Sequence, residues 1–186
     1  MKYIYYYCNQ GLNDTLCGLY HDLVYSKKFN RILLVDMVYA NYYVYNFDDV
    51  FKFINNCNII CDQVEIKKII NNKNLSFRQE HCLNLSKEYE EDIIKHCGCG
   101  GNDNSHKLLR ELKLTDYFIN DIINKYNSIP KPYTSIHIRN TDHKCDYKLI
   151  YEENKEKLNN QNIFLATDSI DVLNYFNSLN LNIFYF

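Results

Sequence analysis

Residues 133–142, YTSIHIRNTD, and 162–169, NIFLATDS, decide the fold. Each is an apolar run of strand length that stops in polar residues, the first at His137, Arg139 and Asp142, the second at Thr167, Asp168 and Ser169. From Tyr133 the spacing predicts a strand (133–139), a loop, a helix (147–159), a strand (162–167), a helix (170–179) and a strand (181–186). That order is a βαβαβ half of a doubly wound sheet. Open α/β sheets bind ligands outside the carboxyl ends of their strands, so two neighbouring strand ends that both carry polar clusters predict a site for a phosphorylated ligand.

Strict alternation along 133–139 puts Ile136 and Ile138 on one face and Ser135, His137 and Arg139 on the other. A guanidinium on a buried parallel strand needs a bound anion or a carboxylate partner, and its planar fork suits a phosphate. An ion pair from Arg139 to Asp142 or to Asp168 is the structural alternative. Asp168 or Ser169 also stands where the helix of Ile170, Val172, Leu173 and Phe176 needs an N-cap, and free N–H groups at such a helix start can hold a phosphate.

Outward from this half, residues 3–8 and 31–36 (RILLVD) read as strands, the second a continuous apolar run of the kind a buried parallel sheet contains. Between them Leu12, Leu16, Leu19, Tyr20, Leu23 and Val24 recur at helical spacing, with GLNDTL (11–16) at the turn. Residues 41–53 are aromatic and lead through FDDVFKF into a short helix, and NIICDQVEI predicts a strand over 59–66. The pattern over 67–105 is broken, and HCGCGGNDN (96–104) reads as a loop. A helix follows His106, in which Thr115 or Asp116 caps an apolar face of Phe118, Ile119, Ile122, Ile123 and Tyr126. Both prolines stand in NSIPKPY (127–133), which places a domain boundary between 1–130 and 131–186.

At 186 residues and 46% hydrophobic content the chain can bury a core of one domain or two small ones. A net charge of −2 and a pI near 6.3, without runs of one sign, exclude the footprint of a nucleic-acid binder. Eighteen tyrosines, no tryptophan and abundant Asn, Ile and Lys fit a coding sequence biased toward A and T, and the sequons at Asn13, Asn74 and Asn84 follow from the same bias. The amino-terminal MKYIYYYCNQG is too short and polar for a signal peptide, and no segment reaches the length of a membrane span, so a soluble cytoplasmic protein with reduced thiols is expected. His81, Cys82, His96, Cys97, Cys99 and His106 lie close in sequence but lack paired CxxC spacing, so no metal site is expected.

Taken in order, the GLNDTL turn, the RILLVD strand, FDDVF (47–51), HIRNTD and FLATDS resemble the fucosyltransferase superfamily of glycosyltransferases. GLNDTL is similar to the family's amino-terminal turn, FDDVF to a segment of its acceptor-side domain, and HIRNTD to its HxR motif. The resemblance implies an α/β, GT-B-like fold of two Rossmann-like parts, with 1–130 as the acceptor-side domain and 131–186 as the nucleotide-sugar donor domain. Because the family's donor domain continues well past its ATD strand, this second part is expected to be incomplete, truncated at the carboxyl end. GLNDTL also carries Thr15 where many relatives have a basic residue.

The resemblance further implies a metal-independent, inverting transfer of fucose or a related sugar from a GDP-sugar to a hydroxyl of an unidentified acceptor, with no cofactor beyond that donor. Arg139 would contact the diphosphate, His137 and Asp142 would line the same pocket, and Thr167, Asp168 and Ser169 would face the nucleotide or sugar. Gly11, Asn13 and Asp14 would face the cleft from the acceptor side. Asp14 would orient or deprotonate the acceptor, its rival role being the N-cap of a helix over 15–28. A truncated chain that keeps the scaffold without turnover, a noncatalytic nucleotide-binding or interaction protein, is the alternative. The terminal NIFYF (182–186) then presents an unpaired apolar edge through which the chain would self-associate.

Overall fold

The structure, a computed structural model, describes residues 1–7, 11–37, 46–55, 57–98, 104–141 and 143–186. It divides into two compact units, Met1–Ile119 and Asn120–Phe186. The division falls within a helix and just before the proline segment on which the sequence places a boundary.

The first unit opens with β1 (Tyr3–Tyr7), α1 (Leu12–Lys28) and β2 (Ile32–Asp36). There follow α2 (Phe47–Val50), β3 (Phe51–Phe53), β4 (Ile59–Ile60), α3 (Gln63–Ile70), β5 (Phe77–Glu80) and β6 (Ile93–His96). The unit then runs through α4 (Asn104–Leu109), β7 (Leu112–Leu114) and the start of α5 (Asp116–Ser128). Five strands form a parallel sheet in the order β4-β2-β1-β6-β5, while β3 and β7 pair antiparallel apart from it. Chain order reverses between β1 and β6, so this is the topological switch point of the sheet.

Side-chain alternation covers both faces. Ile4, Tyr6, Leu33, Val35 and Ile94 pack with Leu16, Leu19 and Leu23 of α1 and Leu108 of α4, and Tyr5, Leu34 and Ile93 pack with Ile66 of α3. This explains the unbroken apolar reading of RILLVD, because neither face of β2 meets water. The buried Arg31 just before β2 donates to the carbonyl oxygens of Tyr3 and Glu91 at 3.2 and 2.9 Å and to that of Tyr89, which compensates much of its desolvation.

Two expectations change here. The strand expected over 59–66 shrinks to Ile59–Ile60, because Asp62 accepts a 2.7 Å hydrogen bond from the Glu65 N–H and starts α3, whose Ile66, Ile69 and Ile70 then face the sheet at helical spacing. The broken pattern of 67–105 contains β5 and β6, whose mutual pairing no local signal discloses. At the start of α5 the cap is Thr115, whose hydroxyl accepts from the Phe118 N–H at 3.3 Å. The apolar stripe of that helix is not buried: Ile119, Ile122, Ile123 and Tyr126 are 38%, 45%, 46% and 50% exposed.

The second unit continues from α5 through β8 (Tyr133–Ile138), α6 (Tyr147–Leu158), β9 (Asn162–Thr167), α7 (Ile170–Ser178) and β10 (Asn182–Phe184). The three strands are parallel in the order β10-β9-β8. Ile138 and Leu165 meet Val172 and Phe176 of α7, with Tyr147 and Tyr151 of α6 at the margin. Among the described residues no helix is long and apolar enough to cross a membrane.

Gly18 in α1 is required by a close approach. A Cβ there would stand 2.7 Å from the hydroxyl oxygen and 2.8 Å from a ring carbon of the buried Tyr6. Alanine in a helix interior gains about 1 kcal/mol over glycine, but overpacking against a rigid ring costs about 1–3 kcal/mol. Gly18→Ala is therefore expected to lower the denaturant midpoint, and an unchanged or raised midpoint would show that Tyr6 moves freely.

Candidate functional site

The polar strand ends of the second unit come together as the alternation predicts. β8 and β9 pair with Ile138 opposite Thr167, so the residues after Ile138 and after Thr167 emerge side by side at the carboxyl edge. The Asp168 carboxylate accepts the Asn140 N–H at 2.7 Å through Oδ1 and the Thr141 hydroxyl at 2.7 Å through Oδ2. These donors, the Asn140 N–H first and the Thr141 hydroxyl second, hold its pKa below the usual carboxylate range. Asp168 thus fastens the loop after β8 to the end of β9.

Asn140 and Lys144 complete that loop. Asn140 is buried, its side-chain oxygen accepts the Cys145 N–H at 3.2 Å, and its carbonyl accepts Lys144 Nζ at 2.9 Å. Sequence reasoning passed over both residues, although the amide inside HIRNTD was the available signal. Asp146 then caps α6 by accepting the Leu149 N–H at 3.0 Å. Ser169, rather than Asp168, is the N-cap of α7. Its side chain makes no capping bond while its own N–H donates to Thr167 Oγ1 at 3.2 Å, so the first N–H groups of α7 keep no side-chain cap among the described residues at this edge.

The setting of the HxR residues differs from expectation in one respect. Ile138 is buried as foreseen, but Ser135, His137 and Arg139 lie exposed, because α6 and α7 pack on the opposite face of the sheet and α5 meets this face at Tyr133. Arg139 is therefore not desolvated, and the carboxylate of Asp168 is used by Asn140 and Thr141. Asp142 lies outside the described residues. Asp168→Ala is expected to free the Asn140 amide, raising its hydrogen-exchange rate well above that of the Ile138 amide. Because the pKa is lowered, the fastening is complete above the ordinary carboxylate pKa of about 4 and is lost as pH falls through the depressed value. Exchange at Asn140 unchanged by the substitution and by acid would refute this role.

In the first unit α1 starts three residues earlier than the Asp14 cap requires. Gly11 is its N-cap, with no side-chain bond, and Asp14 sits half-buried within the first turn, where a carboxylate is favoured by the helix dipole. Gly11 and Asn13 are exposed beside it. The N-cap reading of Asp14 is thereby corrected, and the helix start follows the end of β1 at the switch point.

A second polar pair at that switch point escaped the sequence. Asp22 of α1 and His96 at the end of β6 are 0% and 1% exposed, with Asp22 Oδ1 2.6 Å from His96 Nδ1. Burial raises the Asp22 pKa, opposed by the His96 charge. His96 loses charge stability to burial, but the Asp22 carboxylate outweighs this and holds the imidazole pKa above its ordinary value. Asp22 Oδ2 and His96 Nε2 are buried without hydrogen-bond partners among the described residues. Gly98 packs on the imidazole so closely that a Cβ would stand 2.8 Å from Nε2. An acid at a buried position of the α1 stripe was the one available signal. No group of three or more metal-ligating side chains occurs among the described residues.

No protein-family model matches this chain, and no curated protein sequence resembles it significantly. Solved structures do match. The fucosyltransferase NodZ from Bradyrhizobium superposes with a TM-score of 0.56 at 16% identity, over 100% of this chain and 78% of that one. NodZ alpha-1,6-fucosyltransferase soaked with GDP-fucose gives 0.56, and the same enzyme co-crystallised with GDP gives 0.55, at the same identity and coverage. At that identity the likeness concerns the fold, and the chain accordingly has the mixed α/β, GT-B-type fold seen in a fucosyltransferase.

Proposed function

We propose that this chain is a glycosyltransferase-like protein that binds a GDP-sugar, fucose or a relative of it, and transfers the sugar to an acceptor hydroxyl by a metal-independent inverting reaction. The reading is supported by the shared fold of an enzyme co-crystallised with GDP and soaked with GDP-fucose, together with the polar carboxyl edge of β8 and β9. The second unit is the donor part and the first the acceptor part, with their boundary at 130 and 131. Arg139 carries the donor diphosphate, with His137, Thr167, Ser169 and the open end of α7 around it, and Asp142 as a further donor-side residue.

In the transfer, the acceptor oxygen forms its bond to the anomeric carbon as the bond to the diphosphate oxygen breaks, and that electron pair leaves with GDP. The sugar carbon passes through an oxocarbenium-like state. Charge grows on the leaving diphosphate, where a fixed guanidinium stabilises it in place of a cation. The acceptor proton passes to Asp14, the acid beside Gly11 and Asn13.

A specific observation favours the noncatalytic reading as the second choice: both oxygens of the exposed Asp168 carboxylate already accept hydrogen bonds that fasten a loop. Titration calorimetry with GDP and GDP-fucose, followed by a transfer assay, separates the two. Binding with turnover supports the enzyme, binding without turnover supports the noncatalytic nucleotide-binding protein, and absence of binding removes the donor-site assignment and leaves the interaction protein. Self-association through the outer edge of β10, which among the described residues pairs only with β9, belongs to the same reading. Sedimentation should then show a dimer that Ile183→Pro disrupts.

A further inference from the structure

Cys57, Cys61, Cys97 and Cys145 are all half-buried, yet their surroundings differ in chemistry. Burial, with Asp48 nearby, pushes the Cys61 thiol up to about 12. The Cys145 sulfur lies 3.6 Å from the Arg139 carbonyl oxygen, an acceptor and not a base. Of the four, among the described residues, Cys97 is the one that faces a base: its Sγ is 3.3 Å from Nδ1 of His81.

The sheet builds this pair. Glu80 of β5 stands opposite His96 of β6, so His81 and Cys97 are the first residues past the ends of two hydrogen-bonded parallel strands and leave the sheet at the same edge. The preceding residue is held firmly, since His96 is gripped by Asp22 on one side and by Gly98 on the other. The thiol and imidazole are thereby fixed within proton-transfer distance while remaining open to solvent.

We propose that Cys97 and His81 form a nucleophilic thiol site that is covalently modified by soft carbon electrophiles. With an α-haloamide, sulfur forms a bond to the methylene carbon, the carbon–halogen bond breaks, halide leaves with the electron pair, and the thiol proton passes to His81 Nδ1. Before reaction the thiol donates to Nδ1; after transfer the imidazolium N–H faces the sulfur and stabilises it. The proposal is independent of the sugar-nucleotide reading, since neither Cys97 nor His81 is among the residues assigned to it.

Limiting iodoacetamide is added to the native full chain at neutral pH, and labelling of each cysteine peptide is followed by mass spectrometry. Cys97 is expected to react about tenfold faster than Cys57 and Cys145. In His81→Asn its rate should fall to theirs, and in guanidinium chloride the three wild-type rates should converge. A native Cys97 no faster than Cys57 overturns the proposal whether or not the variant folds. So does a preference that persists in the denatured chain, or one that survives His81→Asn with its circular dichroism spectrum intact.

Discussion

Removal of the His96 imidazole is expected to lower stability by about 3–5 kcal/mol, because His96→Ala leaves the Asp22 carboxylate buried and unpaired. The pair joins α1 to β6 across 74 residues of sequence, and both side chains are essentially inaccessible. Each already has one buried atom without a partner, so truncation cannot be offset by a spare hydrogen bond nearby. Asp22→Asn, which keeps the shape and a polar contact to Nδ1 while removing the charge, should cost less. Denaturant unfolding of the three proteins checks the order, and a His96→Ala midpoint within error of wild type refutes it.

The same pair predicts a pH dependence with a definite sign. His96 has a raised pKa in the folded state, so the stabilisation is fully present below the unfolded value of about 6.5 and is lost as pH rises through the folded one. The raised pKa of Asp22 acts in the same sense at lower pH, since there too the folded chain holds a proton that the unfolded chain releases. Stability measured from about pH 6 upward should therefore decline in wild type and flatten in His96→Ala. The other charged groups facing the ring, His21 through Asp22 and Glu80 beside His96, favour the charged pair only secondarily.

Arg139→Ala is expected to weaken GDP binding by about 100-fold, the loss of roughly two charge-assisted hydrogen bonds to a diphosphate at 1–2 kcal/mol each. Because Arg139 is solvent-exposed and stands after the last residue of β8, its removal should leave the unfolding midpoint within about 0.5 kcal/mol of wild type. Arg139→Lys keeps the charge but loses the planar fork, and should recover only part of the affinity. Equal affinity in wild type and Arg139→Ala would remove the donor-site assignment while leaving the fold untouched.

The second unit was legible in the sequence nearly element by element. The strands β8 and β9 are apolar runs ended by polar residues, and each helix has its own cap or spacing signal, so the information is local: Tyr133–Ile138, Tyr147–Leu158, Asn162–Thr167 and Ile170–Ser178 each lie within a residue of the spans read from spacing. The first unit was legible only through β2. Phe77–Glu80 is a largely exposed strand with one apolar residue, Phe77, whose reason to extend is its pairing with Ile93–His96, and that pairing is not written in either segment alone. NIICDQVEI misled because its isoleucines fit both periods, and the Asp62 cap decided for the helix.

For the candidate site, the sequence by itself determined which residues reach the carboxyl edge of β8 and β9, because alternation and strand ends are properties of the chain within a few residues. What only the tertiary structure decided was what those residues meet. It turned Asp168 into the fastening of the HIRNTD loop, left Ser135, His137 and Arg139 exposed, buried Asp22 against His96, and set Cys97 beside His81. Burial, pairing and pKa arise from neighbours brought together by folding over distances that no local pattern of residues spans.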